Sequence, residues 1–121
     1  MTGGAGFIGS FVVEKLAEKG FNVIVYDNFT TGSRENIKNA LEKGNVKIIE
    51  GDVRDYNKLL EVTLKTEKIV HLAALISVEE SIKKPELYLD VNVKGTLNVL
   101  KAASSAKARK VIYISSAAVY G

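Results

Sequence analysis

The stretch TGGAGFIG, residues 2–9, decides the fold of this 121-residue chain. Its glycines satisfy two spacings at once, Gly4-x-Gly6-x-x-Gly9 and Gly3-x-x-Gly6-x-x-Gly9. Such a turn uses one glycine to bend tightly, one to admit a pyrophosphate and one to pack the next helix closely against a sheet. The N-terminus of that helix offers free N–H groups and a positive dipole end to phosphates. The stretch therefore predicts a dinucleotide-binding turn.

An acid follows this turn at the distance that a dinucleotide site requires. Asp27 directly follows the next predicted strand, 18 residues beyond Gly9, where such sites place their acid. A carboxylate there accepts both hydroxyls of an adenine ribose and repels a 2′-phosphate, and no Arg directly follows it. We therefore expect NAD rather than NADP. A glycine-rich turn with a solvated Asp is the alternative, which the agreement of turn, helix, strand and acid disfavours.

Helical and strand-like patterns alternate along the rest of the chain. They predict helices at 7–19, 33–43, 56–66 and 85–106, and strands at 22–26, 46–50, 69–74 and 111–114. Ser33 can cap the second of these helices and Asp55 the third. The first helix is indicated by an apolar stripe of Phe7, Ile8, Phe11, Val12 and Leu16, and the last by Leu89, Val93, Leu97 and Leu100. Alternating strands and helices predict a doubly wound parallel α/β sheet. Its ligands bind beyond the carboxyl ends of the strands.

The composition is that of an ordinary soluble domain and excludes several classes of site. Hydrophobic residues make up 46%, charged residues 26%, and the net charge is +3 with the basic residues scattered, so we expect no nucleic-acid partner. The absence of Cys and the single His argue against a metal site. No signal peptide or membrane-length apolar run is visible, so we expect a cytoplasmic protein without a membrane partner.

Side chains at the other strand ends leave alternatives open. Asp52 either bonds the exocyclic amine of an adenine or is a turn residue or cap for the next helix. Residues 72–75 either lie against a cofactor or are a plain strand end. His71 in an apolar strand is more typical of a satisfied core residue than of a catalyst. Asn92 is either a solvated helix residue or holds the loop after the fourth strand. Ser115 and Ser116 either bond a substrate hydroxyl or are turn residues.

Six stretches together resemble the extended short-chain dehydrogenase/reductase family, in its nucleotide-sugar epimerase/dehydratase branch. They are TGGAGFIGS at 2–10, VYDNFTTG at 25–32, EGDVRD at 50–55, HLAALISVEES at 71–81, NVKGTLNVL at 92–100 and SSAAVYG at 115–121. The resemblance is closest to UDP-glucose 4-epimerase-like proteins. It implies a Rossmann-like NAD-binding fold over residues 1–121, a UDP-sugar substrate and a possible homodimer.

The resemblance also implies which residues contact NAD. These are Gly3, Gly6, Phe7, Ile8 and Gly9 at the pyrophosphate; Asp27, Asn28, Thr31 and Gly32 at the adenosine ribose; Asp52 and Val53 at the adenine; and Leu72, Ala73, Ala74, Asn92 and Ser115 at the nicotinamide half. Ser116 matches the serine that bonds the sugar 4-hydroxyl and assists proton transfer. Dehydratases of the branch carry Thr-Asp-Glu where Ser115-Ser116-Ala117 stands, which favours an epimerase.

The epimerase mechanism implied is a reversible oxidation at sugar C4, with a Tyr as base and a Lys four residues later lowering its pKa. No Tyr-x-x-x-Lys pair occurs in the chain, and only Met1 and Thr2 precede the glycine turn. We therefore expect a fragment truncated at both ends, lacking the substrate part and inactive alone. It is also expected to lack the first strand, which would leave the strands that begin at residues 22 and 69 without their shared neighbour. A standalone NAD-binding module, or a related dehydratase, decarboxylase or reductase, is the alternative.

Overall fold

Four strands and six α-helices alternate along the chain in the computed structural model, which describes residues 1–121. The strands are β1 Val23–Asp27, β2 Val46–Glu50, β3 Lys68–His71 and β4 Lys110–Tyr113; the helices are α1 Phe7–Glu18, α2 Lys38–Glu42, α3 Tyr56–Thr63, α4 Val78–Lys83, α5 Pro85–Tyr88 and α6 Gly95–Ser105. Short 3₁₀ turns lie at Glu35–Ile37 and Ala117–Tyr120, and a π-helical segment, Leu89–Lys94, joins α5 to α6. The α/β prediction is confirmed.

All strand pairs are parallel. β1 pairs with β2 from Val23↔Val46 onward, and β3 pairs with β4 from Lys68↔Lys110 onward. Thr2 forms parallel bridges to Tyr26 on one side and to His71 on the other, which joins the two pairs. The order is therefore β2-β1-Thr2-β3-β4. This is the doubly wound order, with Thr2 in the central place.

The expectation that β1 and β3 lack a shared neighbour is wrong for their carboxyl-terminal halves. Residues 1–3 lie between the two strands and hydrogen-bond to both. The bonds are Tyr26 N to Met1 O (2.8 Å), Gly3 N to Tyr26 O (3.1 Å), Thr2 N to Val70 O (3.0 Å) and Leu72 N to Thr2 O (3.1 Å). Buried backbone groups that form these bonds avoid a cost of about 1–3 kcal/mol each.

The core consists of two apolar clusters, one on each face of the sheet. Val23 and Val25 of β1 belong to one cluster and Tyr26 to the other, because successive strand residues point to opposite faces. The first cluster packs under α1 and α2, and the second under α3 and α6. The helices thus cover both faces and leave the strand ends for ligands. No helix combines the length and apolarity that a membrane crossing needs.

The apolar stripe that indicates the first helix faces mostly away from the sheet, and only Val12 and Leu16 of it are partly buried. Phe7 is 80% exposed, and Ile8 and Phe11 are exposed as well. The buried residues of α1 are Gly9, Ser10, Val13 and Ala17. Small side chains let this helix approach the sheet closely, so its buried face is not its most hydrophobic one.

The predicted 85–106 helix is interrupted by the π-helical segment, and its buried face also differs from its apolar stripe. It consists of α5, the π-helical segment and α6, and its buried residues are Val91, Gly95, Val99, Ala102 and Ala103. The predicted stripe of Leu89, Val93, Leu97 and Leu100 is instead about half exposed. A Cβ on Gly95 would lie 2.6 Å from Val53 Cγ2, so close packing again requires a small residue.

Two further helix predictions need correction. The predicted 33–43 helix is a 3₁₀ turn followed by the short α2, with Ser33 Oγ accepting the Glu35 amide at its start. Helix α4 was not predicted; Ser77 caps it by accepting the Glu80 amide at 3.2 Å. In contrast, the predicted cap of α3 is confirmed, because Asp55 Oδ1 accepts the Lys58 amide at 3.1 Å.

Candidate functional site

The glycine turn packs against the loop that follows β3. Gly3 has a φ of +68°, and a Cβ there would lie 2.6 Å from the Ala73 amide nitrogen. A Cβ on Gly9 would collide with the Gly3 carbonyl oxygen. Both glycines are therefore required by the chain's own packing, one for a left-handed turn and one for close approach of α1.

Gly6 differs from these two glycines. It is the N-cap of α1 with φ −72° and ψ 175°, which any residue adopts, and a Cβ would meet only the Gly3 carbonyl at an ordinary 3.4 Å. The Phe7 and Ile8 amides have no acceptor within the chain, and the first turn of α1 carries no acid. The packing of the chain therefore gives no reason for a glycine at position 6. The approach of an anionic pyrophosphate to these amides does give one.

Asp27 joins the end of β1 to the glycine turn. Its side chain is only 8% exposed. Oδ2 accepts the Ala5 amide at 2.9 Å, and Oδ1 accepts the Phe29 amide at 2.9 Å. Phe29 has a φ of 56°, a left-handed conformation that this second bond supports. A carboxylate has about four acceptor positions, so Asp27 retains capacity for ribose hydroxyls.

The loop after Asp27 folds over Ala5. The Ala5 carbonyl accepts the Ser33 amide at 3.0 Å and Asn36 Nδ2 at 2.8 Å. A Cβ on Gly32 would lie 2.8 Å from the Ala5 carbonyl oxygen, so Gly32 is required for this approach, while Thr31 is exposed beside it. Asn36 was not singled out in the sequence, because an exposed helix-start Asn carries no distinguishing pattern.

Asp52 and Asn28 meet at the next strand end. Asn28 Nδ2 donates to Asp52 Oδ2 at 2.9 Å, and Arg54 donates to the same carboxylate through Nη2 at 2.7 Å and Nε at 2.9 Å. The Arg54 hydrogen bonds lower the pKa of Asp52 to about 2. Asp52 is therefore an ionised turn residue, as one alternative has it, and adenine contact stays a prediction. Val53 beside it is buried, and its carbonyl accepts Asn98 Nδ2 at 3.0 Å.

His71 is a satisfied core residue, which confirms the favoured prediction. Nδ1 lies 2.6 Å from Thr2 Oγ1, and Nε2 lies 2.9 Å from Thr96 Oγ1. Thr96 gives its own proton to the Asn92 carbonyl at 2.6 Å, so it accepts from His71 Nε2–H, and Thr2 donates to Nδ1. Burial, with the charge of the amino terminus adding to it, lowers the pKa of His71 to about 4. The ring is thus neutral, in one tautomer.

Asn92 holds the loop after β3, which confirms the second alternative for this residue. Its Oδ1 accepts the Leu75 amide at 2.8 Å, and its Nδ2 donates to the Leu75 carbonyl at 2.9 Å. This amide pair fixes residues 72–75 as a loop after β3, not as the predicted end of that strand. Leu72, Ala73 and Ala74 therefore stand beside the glycine turn.

Ser115 and Ser116 follow β4 and are exposed. The Ile114 amide donates to the His71 carbonyl at 3.1 Å, which sets this segment beside the end of β3. Ser116 Oγ accepts the Ala118 amide at 3.1 Å, so its hydrogen bond is local. Direct contacts bring together the glycine turn, Asp27, Asp52 and residues 72–75. The two serines lie one strand further along.

No cluster of three His, Asp or Glu is placed to hold a metal ion.

Known proteins resemble this chain along its whole length. A family model described as GDP-mannose 4,6 dehydratase matches residues 1–121. A putative UDP-glucose 4-epimerase from Methanocaldococcus jannaschii is 40% identical over 123 residues, with 100% of this chain and 39% of that protein covered. A UDP-glucose 4-epimerase from Rhizobium meliloti is 43% identical over 124 residues, covering 100% and 36%.

A solved structure agrees with these sequence relatives. The crystal structure of UDP-glucose 4-epimerase from Bifidobacterium longum, in complex with NAD⁺ and UDP, superposes with a TM-score of 0.90 at 38% identity. The match covers 99% of this chain and 37% of that one. The chain thus spans less than two fifths of the length of the relatives it matches. It belongs to the extended short-chain dehydrogenase/reductase family, in the branch of nucleotide-sugar epimerases and dehydratases.

Proposed function

We propose that this chain is the NAD-binding part of a nucleotide-sugar 4-epimerase of the UDP-glucose/UDP-galactose type. The observation that carries the proposal is the arrangement at Gly6, where the chain leaves room for a Cβ and two helix-start amides without an acceptor. A dinucleotide pyrophosphate fits that space and that charge. The bound NAD⁺ and UDP of the Bifidobacterium longum relative support the same assignment.

The other candidate residues fit the rest of a dinucleotide. Asp27 would accept the ribose hydroxyls with the acceptor positions that Ala5 and Phe29 leave free, assisted by Asn28 and the loop through Thr31 and Gly32. Asp52 and Val53 would flank the adenine, and residues 72–74 would line the nicotinamide half, held by Asn92. The chemistry that NAD would supply at this site is reversible hydride transfer at sugar C4.

Ser115 and Ser116 distinguish an epimerase from its relatives. Ser116 would hydrogen-bond the sugar 4-hydroxyl, and Ser115 would lie near the nicotinamide. The segment Ser115-Ser116-Ala117 lacks an acid that could protonate a leaving hydroxyl, which favours epimerisation over 4,6-dehydration. A nucleotide-sugar dehydratase is the second candidate, because the matching family model carries that description.

We also propose a homodimer formed through the helical face of Leu89, Val93, Leu97 and Leu100. These four side chains are 48–58% exposed and lie along one line of α6 and the π-helical segment. Exposed apolar surface of this extent on a helix is typical of an interaction face.

Calorimetric titration of the purified protein with NAD⁺ and NADP⁺ tests the cofactor assignment. Micromolar NAD⁺ binding and at least about tenfold weaker NADP⁺ binding are expected, because Asp27 opposes a 2′-phosphate. Absence of NAD⁺ binding at millimolar concentration would contradict the proposal. Incubation of the complete protein with UDP-galactose tests the chemistry: UDP-glucose is the product expected of an epimerase, and a 4-keto-6-deoxy sugar that of a dehydratase.

A further inference from the structure

Tyr26 is a buried side chain that no part of the cofactor assignment uses. It stands directly before Asp27 in β1, is 2% exposed, and donates its hydroxyl proton to the Asp52 carbonyl at 2.9 Å. Burial, together with the nearby Asp55 and Asp52 carboxylates, raises the pKa of Tyr26 to about 12. The hydroxyl is therefore a permanent donor at neutral pH.

The ring of Tyr26 also supports the residue before Asp52. A Cβ on Gly51 would lie 2.5 Å from Tyr26 Cε2 and Oη, so the Gly51 backbone rests directly on the ring. The Gly51 amide donates to the Asp27 carbonyl at 3.0 Å, which continues the β1–β2 ladder up to the turn. Tyr26 thus determines the position of the Gly51–Asp52 backbone from the core side.

The carboxylate of Asp52 is oriented from the opposite side. Arg54 and Asn28 hold both of its oxygens at 2.7–2.9 Å. Both of these partners are exposed, whereas Tyr26 is the only buried side chain that bonds the Asp52 backbone. The Asp55 amide also donates to the Asp52 carbonyl, at 3.0 Å, but it belongs to the same turn, so the Tyr26 hydroxyl is the hydrogen bond that links the Asp52 backbone to the core.

We propose that Tyr26 is a positioning residue for recognition of the adenine base, acting through the backbone of Asp52. The inference rests on the proposed function, since it assumes that the Asp52 turn faces the base. Phe at this position would keep the packing against Gly51 and remove the side-chain donor of the Asp52 carbonyl, which would retain only the Asp55 amide at 3.0 Å. The turn would then hold Asp52 less firmly against the exocyclic amine, while the pyrophosphate and ribose contacts stay in place.

Binding of NAD⁺ and of nicotinamide hypoxanthine dinucleotide, which carries an oxygen in place of the amine, tests this inference. Wild type is expected to prefer NAD⁺. Tyr26→Phe is expected to bind NAD⁺ about fivefold more weakly, as loss of one neutral hydrogen bond implies, with little change for the hypoxanthine analogue. Tyr56→Phe is the matched control, since its hydroxyl makes only a 3.4 Å contact to Ser105 in an exposed position.

A double-mutant cycle with Asp52→Ala shows whether Tyr26 acts through Asp52. If it does, Tyr26→Phe adds no further loss of base preference in the Asp52→Ala background. The inference would be overturned, with NAD⁺ binding still standing, if Tyr26→Phe lost affinity equally for both dinucleotides or kept the wild-type preference. It would also be overturned if the wild type did not distinguish the two bases. A wild type that binds neither dinucleotide overturns the proposed function itself.

Discussion

The backbone amide of Ala5 donates to Asp27 Oδ2 at 2.9 Å, so the glycine turn and the acid at the end of β1 are one hydrogen-bonded unit. The two residues are 22 positions apart in the chain. The acid that would hold the ribose therefore also fixes the turn that would hold the pyrophosphate, and the two halves of the candidate site cannot shift independently.

Substitution of Asp27 is expected to lower both stability and cofactor affinity. Asp27→Ala removes two charge-assisted bonds, to the Ala5 and Phe29 amides, so the free energy of unfolding should fall by about 2–4 kcal/mol. NAD⁺ affinity should fall more than about tenfold. Urea unfolding and calorimetry measure the two effects. Glu50→Ala, an exposed acid at the neighbouring strand end, serves as control and should change neither.

Two glycines of the same turn should respond differently to alanine. Gly6→Ala should fold normally, because its Cβ has room and its φ is ordinary, but should lose NAD⁺ binding by crowding the pyrophosphate. Gly9→Ala should unfold at much lower urea concentration, because its Cβ meets the Gly3 carbonyl. Circular dichroism with urea, followed by NAD⁺ titration, separates the two. Normal NAD⁺ affinity in Gly6→Ala would remove the main support for the site.

The neutral, buried His71 predicts a specific loss of stability in mild acid. Its pKa is lowered from 6.5 to about 4 in the folded chain, so below pH 6.5 the unfolded chain binds a proton that the folded chain does not. The contribution of neutral His71 to the free energy of unfolding is therefore fully present above pH 6.5. It falls by on the order of 3 kcal/mol as the pH falls towards 4. His71→Asn should be less stable at pH 7 but should show a smaller pH dependence between 6.5 and 4, measured by urea unfolding at several pH values. Equal slopes in both proteins would show that His71 does not cause the loss.

Ser116 should affect turnover without affecting cofactor binding. Ser116→Ala in the complete protein is expected to lower kcat for UDP-galactose by about 100-fold or more, as loss of a group that assists proton transfer implies, with NAD⁺ affinity unchanged. Ser116→Thr retains a hydroxyl and is the matched control. A parallel fall in NAD⁺ affinity would place Ser116 at the cofactor rather than at the sugar.

The exposed helical face predicts self-association. Leu97→Asp should shift the protein from dimer to monomer in sedimentation equilibrium, because it sets a charge within an apolar contact. Leu64→Asp changes an exposed leucine outside that face and should leave the association unchanged. If wild type is monomeric at high micromolar concentration, the proposed dimer is wrong.

The elements that the sequence predicted correctly are those with strong local signals. The glycine turn followed by a helix, the apolar strands and the Asp55 cap depend on residues that are close in the chain, and each is found in the structure. The apolar stripes that indicated these helices are not the buried faces of α1 and α6, because Gly9, Ser10 and Gly95 are buried for their small size and not for their hydrophobicity. Local patterns report hydrophobicity, and they do not report how closely two backbones approach.

The sequence alone determined the α/β class and the order of candidate residues along the strand ends, since these follow from spacing and periodicity, and its six motif stretches indicated the family branch by resemblance. Only the tertiary structure showed that Thr2 joins β1 to β3, that Asp27 clamps Ala5, that His71 is fixed between two threonines, and that Tyr26 supports the Asp52 turn. Each of these is a contact between segments more than 20 residues apart, made where the carboxyl ends of parallel strands converge. Such contacts depend on strand order and register, which no local stretch of sequence specifies.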